Sequence, residues 1–159
     1  MEIRRAAPPD YPAFLALIQE LDAAHAAGAP RHFRVPEPPG RTQLSFISQL
    51  ANPRYALFVA PSESKILGMV QLRLDEASSL AFLQPLKVVT LFDWVVHPDC
   101  RRQGLGQALL EQAKRWARAQ GADELSLSVA AFNQGAKAAV EAAGFLPLMN
   151  VLHLPLDTK

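Results

Sequence analysis

Hydrophobic positions along this chain follow two different rhythms. Near the start, Ile3 to Ala6 reads as a short strand, and Pro8, Pro9 and Asp10 break it, with Asp10 placed to cap the next element. Phe14, Leu17, Ile18 and Leu21 then recur at helical spacing until Gly28 ends the helix. The proline-rich stretch from Ala29 to Gly40 predicts a surface loop. Thr42 is a second N-cap, ahead of an apolar stripe of Leu44, Ile47 and Leu50 that Asn52 and Pro53 stop.

From Tyr55 the rhythm becomes that of strands. Tyr55 to Ala60 predicts a buried strand, Pro61 to Ser64 a turn, and Lys65 to Asp75 a longer strand with Ile66, Gly68, Val70, Leu72 and Leu74 two apart. Glu76 to Leu86 reads as irregular. Val88 to Val96 is a further apolar strand, interrupted by Asp93 and ended by His97, Pro98 and Asp99. The clearest helix runs from Gly104 to Gln120. Leu105, Ala108, Leu109, Ala113, Trp116 and Ala117 share one face, and Glu111, Lys114, Arg115 and Arg118 the other, with Glu111 and Arg115 a favourable pair. Leu125, Leu127 and Val129 mark a strand. Gln134 to Ala143 is an alanine-rich helix between Asn133 as cap and Gly144 as stop, and Val151 to Leu156 is a last strand. Two helices followed by strands alternating with helices predict a three-layer α/β sheet protein, one domain over residues 1–159.

Composition narrows the class. Half of the 159 residues are hydrophobic and 19% are charged, an ordinary globular balance. A net charge of +1 and no basic stripe argue against nucleic acid and membrane partners. No apolar run approaches the roughly 20 residues of a spanning helix, and the first five residues lack the apolar stretch of a signal peptide. A single cysteine, Cys100, forms no internal disulfide and suits a reducing compartment, so a cytoplasmic protein is expected. Four scattered histidines and one cysteine have no metal-ligand spacing.

One segment carries chemistry. Arg101-Arg102-Gln103-Gly104-Leu105-Gly106 comes after a strand and a proline break and opens the strong helix. A helix start offers free N–H groups and the positive end of the dipole, a ready anion site when side chains leave room. The two glycines clear that room and the two arginines add charged donors. The segment therefore reads as a grip for the diphosphate of a cofactor. A Rossmann loop needs a third glycine where Leu109 stands, and a P-loop needs Gly-Lys-Ser/Thr, which is missing.

The run from Asp93 to Gly106 resembles motif A of the GNAT superfamily of acetyl-coenzyme A-dependent N-acetyltransferases, whose Arg/Gln-x-x-Gly-x-Gly/Ala is met by Arg101, Gly104 and Gly106. Asn133-x-x-Ala136 through Gly144-Phe145 is similar to the family's second signature. The resemblance implies a three-layer α-β-α fold with a mixed, mostly antiparallel central sheet and two helices after strand 1. It implies acetyl-CoA as acyl donor, with the N–H groups of Arg102, Gln103, Gly104, Leu105, Gly106 and Gln107 around the pyrophosphate. The pantetheine arm would pair with the backbone of Trp94, Val95 and Val96, and Asn133 would reach the same arm. The acceptor it implies is a small-molecule or protein amine, attacking the thioester directly, with a strand N–H near Val95 to Val96 stabilising the oxyanion. It also allows a homodimer paired through an edge strand such as Val151 to Leu156.

The chain departs from the family at its acid and base. The usual glutamate positions hold Thr90 and Ser128, and the usual tyrosine position holds Val140. Asp93, a carboxylate in an apolar strand, is the substitute base; a structural partner for an arginine is the competing reading. His25, His32 and Phe33 flank the variable region between the first two helices, as pocket lining or as solvated surface. Two functions are compatible with this pattern: an N-acetyltransferase, or a non-catalytic acyl-CoA-binding or regulatory module.

Overall fold

The computed structural model describes residues 2–63 and 65–156, and the chain divides into two compact units, Met1–Ser128 and Val129–Lys159. In the first unit, strand β1 (Arg4–Arg5) precedes helices α1 (Tyr11–Gly28) and α2 (Gln43–Ala51), strands β2 (Tyr55–Pro61), β3 (Ile66–Leu74) and β4 (Val88–Val96), helix α3 (Leu105–Ala119) and strand β5 (Glu124–Leu127). The strands form one sheet in the order β1-β2-β3-β4-β5. Neighbours are antiparallel except β4 and β5, which run parallel. That is the mixed, mostly antiparallel sheet expected, and the strand boundaries from Tyr55 to Val96 fall where the apolar runs put them. Ser64, at the end of the turn predicted from Pro61, lies outside the described residues.

The sheet is covered on both faces in this unit. Leu57, Val59, Met69 and Val95 meet Phe14, Leu17 and Ile18 of α1 and Phe46 of α2 in one apolar cluster. On the opposite face, α3 lies directly on β3 at Gly68. A Cβ there would meet Leu109 Cδ1 at 2.9 Å and Leu105 Cδ2 at 3.1 Å, so only glycine permits this approach.

Several local expectations are revised. Of the apolar stripe of α2, Leu50 packs against the core, while Leu44 and Ile47 are exposed. Leu44 is 76% exposed, while Phe46 is buried, with its ring 4.8 Å from Phe14 and 5.5 Å from Tyr11. The larger aromatic area wins the core over the better-spaced aliphatics. In α3, Leu110 is buried and Ala108 exposed, and Glu111 pairs with Lys114 at 2.9 Å rather than with Arg115. Asp10 does not cap α1. Its carboxylate accepts from Arg4 at 2.7 and 2.9 Å and from the Ala7 N–H at 2.7 Å; the hydrogen bond from Arg4 holds it below the usual carboxylate range. Thr42 does cap α2, its Oγ1 accepting from Ser45 N at 3.2 Å.

In the second unit, α4 (Gln134–Ala142) is capped by Asn133, whose Oδ1 accepts from Ala136 N at 3.0 Å. Gly144 comes next with φ +85, the left-handed turn that ends the helix. Residues 145–156 contain no strand, contrary to the strand expected at Val151 to Leu156. An apolar run supplies propensity, but a strand needs a ladder partner, and Pro155 removes a donor from this one. The edge that motivated a homodimer is therefore missing among the described residues.

Candidate active site

Strand β4 is where the two candidate functions meet. Its register with β3 pairs Gln71 with Asp93 and Leu72 with Leu91, which leaves Phe92 as an extra residue. On its other side, β4 pairs with β5 only from Val88 to Leu91. Pairing with β5 thus ends at the bulge. The bond from His97 N to Leu67 O sets the phase of the β3–β4 ladder. Asp93 and Val95 then turn their N–H and C=O groups to β3, and Trp94 and Val96 turn theirs away from it, toward the side β5 has left. Beyond the bulge β4 presents this edge without a β5 partner, and Arg101 takes the Val96 carbonyl.

The arginine-glycine segment closes the end of that edge. Arg102 has φ 58 and Gly104 φ 82, so two left-handed residues curl the chain before α3. Such alternation turns successive N–H groups inward into a concave nest, and the first-turn N–H groups of α3 have no intrahelical acceptor. A Cβ at Gly104 would meet nothing within 4 Å, so the space above the turn is open. Side chains hold the turn in place. Arg101 Nε donates to Val96 O at 3.1 Å, Gln103 Nε2 to Asp99 O at 3.0 Å, and Trp94 Nε1 to Gly106 O at 3.1 Å. Gln107 Nε2 donates along the helix to Glu111 at 3.2 Å. The structure thus brings Trp94 and Val96 together with Arg101 to Gln107. Asn133 belongs to the second unit, where it caps α4.

The face under α1 and α2 is built from side chains. Asp93 is 4% exposed. Its Oδ1 lies 3.4 Å from Arg41 Nη2, and Arg41 Nη1 lies 3.2 Å from Asp22 of α1. Tyr11 donates to the Arg41 carbonyl at 3.0 Å and fixes that loop. Burial pushes the Asp93 carboxyl up to about 6, with Arg41 opposing the rise and Asp22 adding to it. Gln71, opposite Asp93 on β3, is 3% exposed and donates to Gln49 of α2. Sequence reasoning named Asp93 and His25 here, and both stand in this neighbourhood. It missed Asp22, Arg41, Gln49 and Gln71, which come from four separate elements. The one signal available was Gln71, a polar residue in the middle of an apolar strand.

The model of the acetyltransferase (GNAT) family matches residues 19–145. The chain belongs to the GNAT family. This GNAT protein is 30% identical over 103 residues to an aminoglycoside N(6')-acetyltransferase type 1 of Klebsiella aerogenes, covering 65% of this chain and 66% of that protein. It is 37% identical over 94 residues to the ribosomal protein bS18-alanine N-acetyltransferase of Escherichia coli K12, covering 58% and 55%. The matched regions thus span between 55% and 66% of these relatives' lengths. Among solved structures, a mutant of the BH1408 protein from Bacillus halodurans is similar at a TM-score of 0.92 and 27% identity, covering 98% of this chain and 99% of that one. An aminoglycoside N-acetyltransferase AAC(6')-Iy in complex with CoA shares the fold at a TM-score of 0.73 and 17% identity, covering 98% and 99%.

Within that family, the acid and base positions are informative. Thr90 donates its hydroxyl to Asp75, so it is engaged at the rim. Val140, on α4, carries no ionisable group. Among the described residues no group of three histidine, cysteine or acidic side chains forms a metal site, and no helix is long and apolar enough to cross a membrane.

Proposed function

We propose that this GNAT protein is an N-acetyltransferase that moves the acetyl group of acetyl-CoA to a primary amine by direct attack. The observation that carries the reading is the end of β4–β5 pairing at Phe92, which leaves the Trp94 backbone and the Val96 N–H without a β5 partner beside the open N-terminus of α3, while the Val96 carbonyl accepts from Arg101. The turn from Arg101 to Gln107 suits a diphosphate through its N–H groups. The free edge at Trp94, Val95 and Val96 suits the two amides of a pantetheine arm, added as a short strand. Of the N–H groups near Val95 and Val96, that of Val96 faces the opening and is the candidate oxyanion donor. The acetyltransferase relatives support an amine acceptor, small-molecule or protein.

Chemically, an alkyl ammonium has a pKa near ~10.4 and must lose a proton before it attacks. Asp93 Oδ2 is the proposed acceptor of that proton. The neutral nitrogen then bonds to the thioester carbonyl carbon, the oxyanion collapses, and the C–S bond breaks. The leaving thiolate belongs to a thiol of pKa about 8.5, so it departs without an obligatory acid; its proton comes from solvent, matching the second proton lost by nitrogen. Val140 is consistent with that route.

The test is a coenzyme-release assay with acetyl-CoA against a panel of primary amines that includes benzylamine, an aminoglycoside and an alanine-terminated peptide. Amine-dependent release supports the reading. Release no faster than hydrolysis for every acceptor, with acetyl-CoA bound, would favour the second reading, an acyl-CoA-binding regulatory module, which the replacement of the usual acid by Val140 motivates.

A further inference from the structure

Under α1 and α2, two buried acceptor oxygens have no partner among the described residues: Asp93 Oδ2 and Gln71 Oε1. Their residues are directly opposed across β3 and β4, and they are 4% and 3% exposed. Directly opposed side chains on one face have Cβ atoms about 5 Å apart, so one small group can reach both. Buried oxygens are seldom left unpaired in folded proteins. Gln71 Oε1 only accepts, and so does Asp93 Oδ2 when the carboxyl is ionised, so the group that completes both in that state must donate at least twice from one centre, as an ammonium does.

Charge points the same way. Asp93 Oδ1 and Asp22 share one guanidinium, that of Arg41. With both carboxylates ionised, these three groups carry a net charge of −1, and His25 is the neighbouring group that also acts on Asp93. The neighbouring rim is already balanced, Arg73 by Asp75 and Arg54 by Glu76. These paired rim carboxylates leave Asp93 Oδ2 as the open anionic oxygen of the seat, which favours one positive charge over several. Beside it, Phe92 stands edge-on to Tyr55 at 6.3 Å and is 41% exposed. Tyr55 alternates with Leu57 on β2, so this aromatic edge lies on the same face as Asp93.

We propose that Gln71 and Asp93 form the seat for the acceptor's ammonium group, and that the seat selects a singly charged primary ammonium with an apolar arm over a polycation. The inference deepens the acetyltransferase reading and rests on it for turnover, but binding tests the seat separately. Calorimetry with benzylammonium and benzyl alcohol separates a cation seat from an apolar pocket. The wild-type protein is expected to bind benzylammonium and not benzyl alcohol. Gln71→Leu should weaken benzylammonium about tenfold, the loss of one hydrogen bond to a charged group, and Asp93→Asn should abolish binding.

In steady state, Gln71→Leu should raise the KM for benzylamine about tenfold, leave the KM for acetyl-CoA within about twofold, and leave Tm nearly unchanged. Benzylamine should exceed spermidine in kcat/KM. Should Leu lower Tm, Gln71→Met is to show the same KM split. Unchanged benzylamine affinity in the Gln71 variants, or preference for spermidine, overturns the seat while acetyl transfer to other amines leaves the enzyme reading intact. Conversely, benzylammonium binding that needs Gln71 and Asp93, without transfer to any amine, upholds the seat and removes the acetyltransferase reading.

Discussion

The two faces of β4 are built on opposite principles. Toward the edge left by β5 and the start of α3, the candidate groups are backbone: the N–H and C=O of Trp94, the N–H of Val96, and the N–H groups of a turn shaped by Arg102 and Gly104. Toward α1 and α2, they are side chains: Asp93, Gln71, Arg41 and Asp22, drawn from β3, β4, α1 and a loop. A backbone site tolerates many side chains and answers to conformation. A side-chain site answers to identity. The difference suits a chain that would hold one donor by a general device and choose its acceptor by a particular one.

The heaviest loss is expected on the side-chain face alone. Asp93→Asn should lower kcat/KM for the amine by at least the roughly 10²- to 10⁴-fold that a general base is usually worth, with the KM for acetyl-CoA little changed; an equal loss of acetyl-CoA affinity would break the separation of the faces. Next comes pH. For wild type, kcat/KM should rise with pH to an inflexion near the Asp93 value of about 6; the same inflexion in Asp93→Asn would assign it to another group.

The backbone face is probed by Gly104→Val. A β-branched residue at φ +82 is strained, so the KM for acetyl-CoA should rise about tenfold, with a stability loss of about 1–2 kcal/mol and the benzylamine KM unmoved.

A smaller change is expected in stability, and its sign is informative. The folded Asp93 value of about 6 lies above its ordinary 3.8. The folded state therefore prefers the protonated carboxyl, and stability is lost as pH rises from about 4 to 6. Asp93→Asn removes an ionisation whose ceiling is about 3 kcal/mol, so it should stabilise the protein by about 1–2 kcal/mol at pH 8 and by almost nothing at pH 4, measured by denaturant melts. A loss of stability at pH 8 would show that Asp93 is a structural partner of Arg41 first.

Legibility in the sequence divides along the same line. The diphosphate-type turn is readable because its requirements are local: a strand, a break, two glycines and an amphipathic helix within fourteen residues of Asp93 to Gly106. Asp93 is readable because a carboxylate in an apolar strand is conspicuous. Arg41 and Asp22 are not, because a surface arginine in a proline-rich loop and an aspartate late in a helix look like solvated charge until folding brings them to Asp93. Phe46 and Leu44 make the same point in the core: spacing favours the stripe containing Leu44, and contact with Tyr11 and Phe14 chooses Phe46.

Features that depend on neighbours in the chain are written in the amino-acid order. These are the strand and helix periods, the cap at Thr42, the left-handed position of Gly104, and the signature that marks a GNAT protein. The bulge at Phe92, and the point where β5 stops pairing, arise only when the strands assemble. So does the identity of the oxygens of Asp93 and Gln71 that are left without partners among the described residues. Those depend on register between strands and on charges from distant segments, and a local pattern carries no information about either.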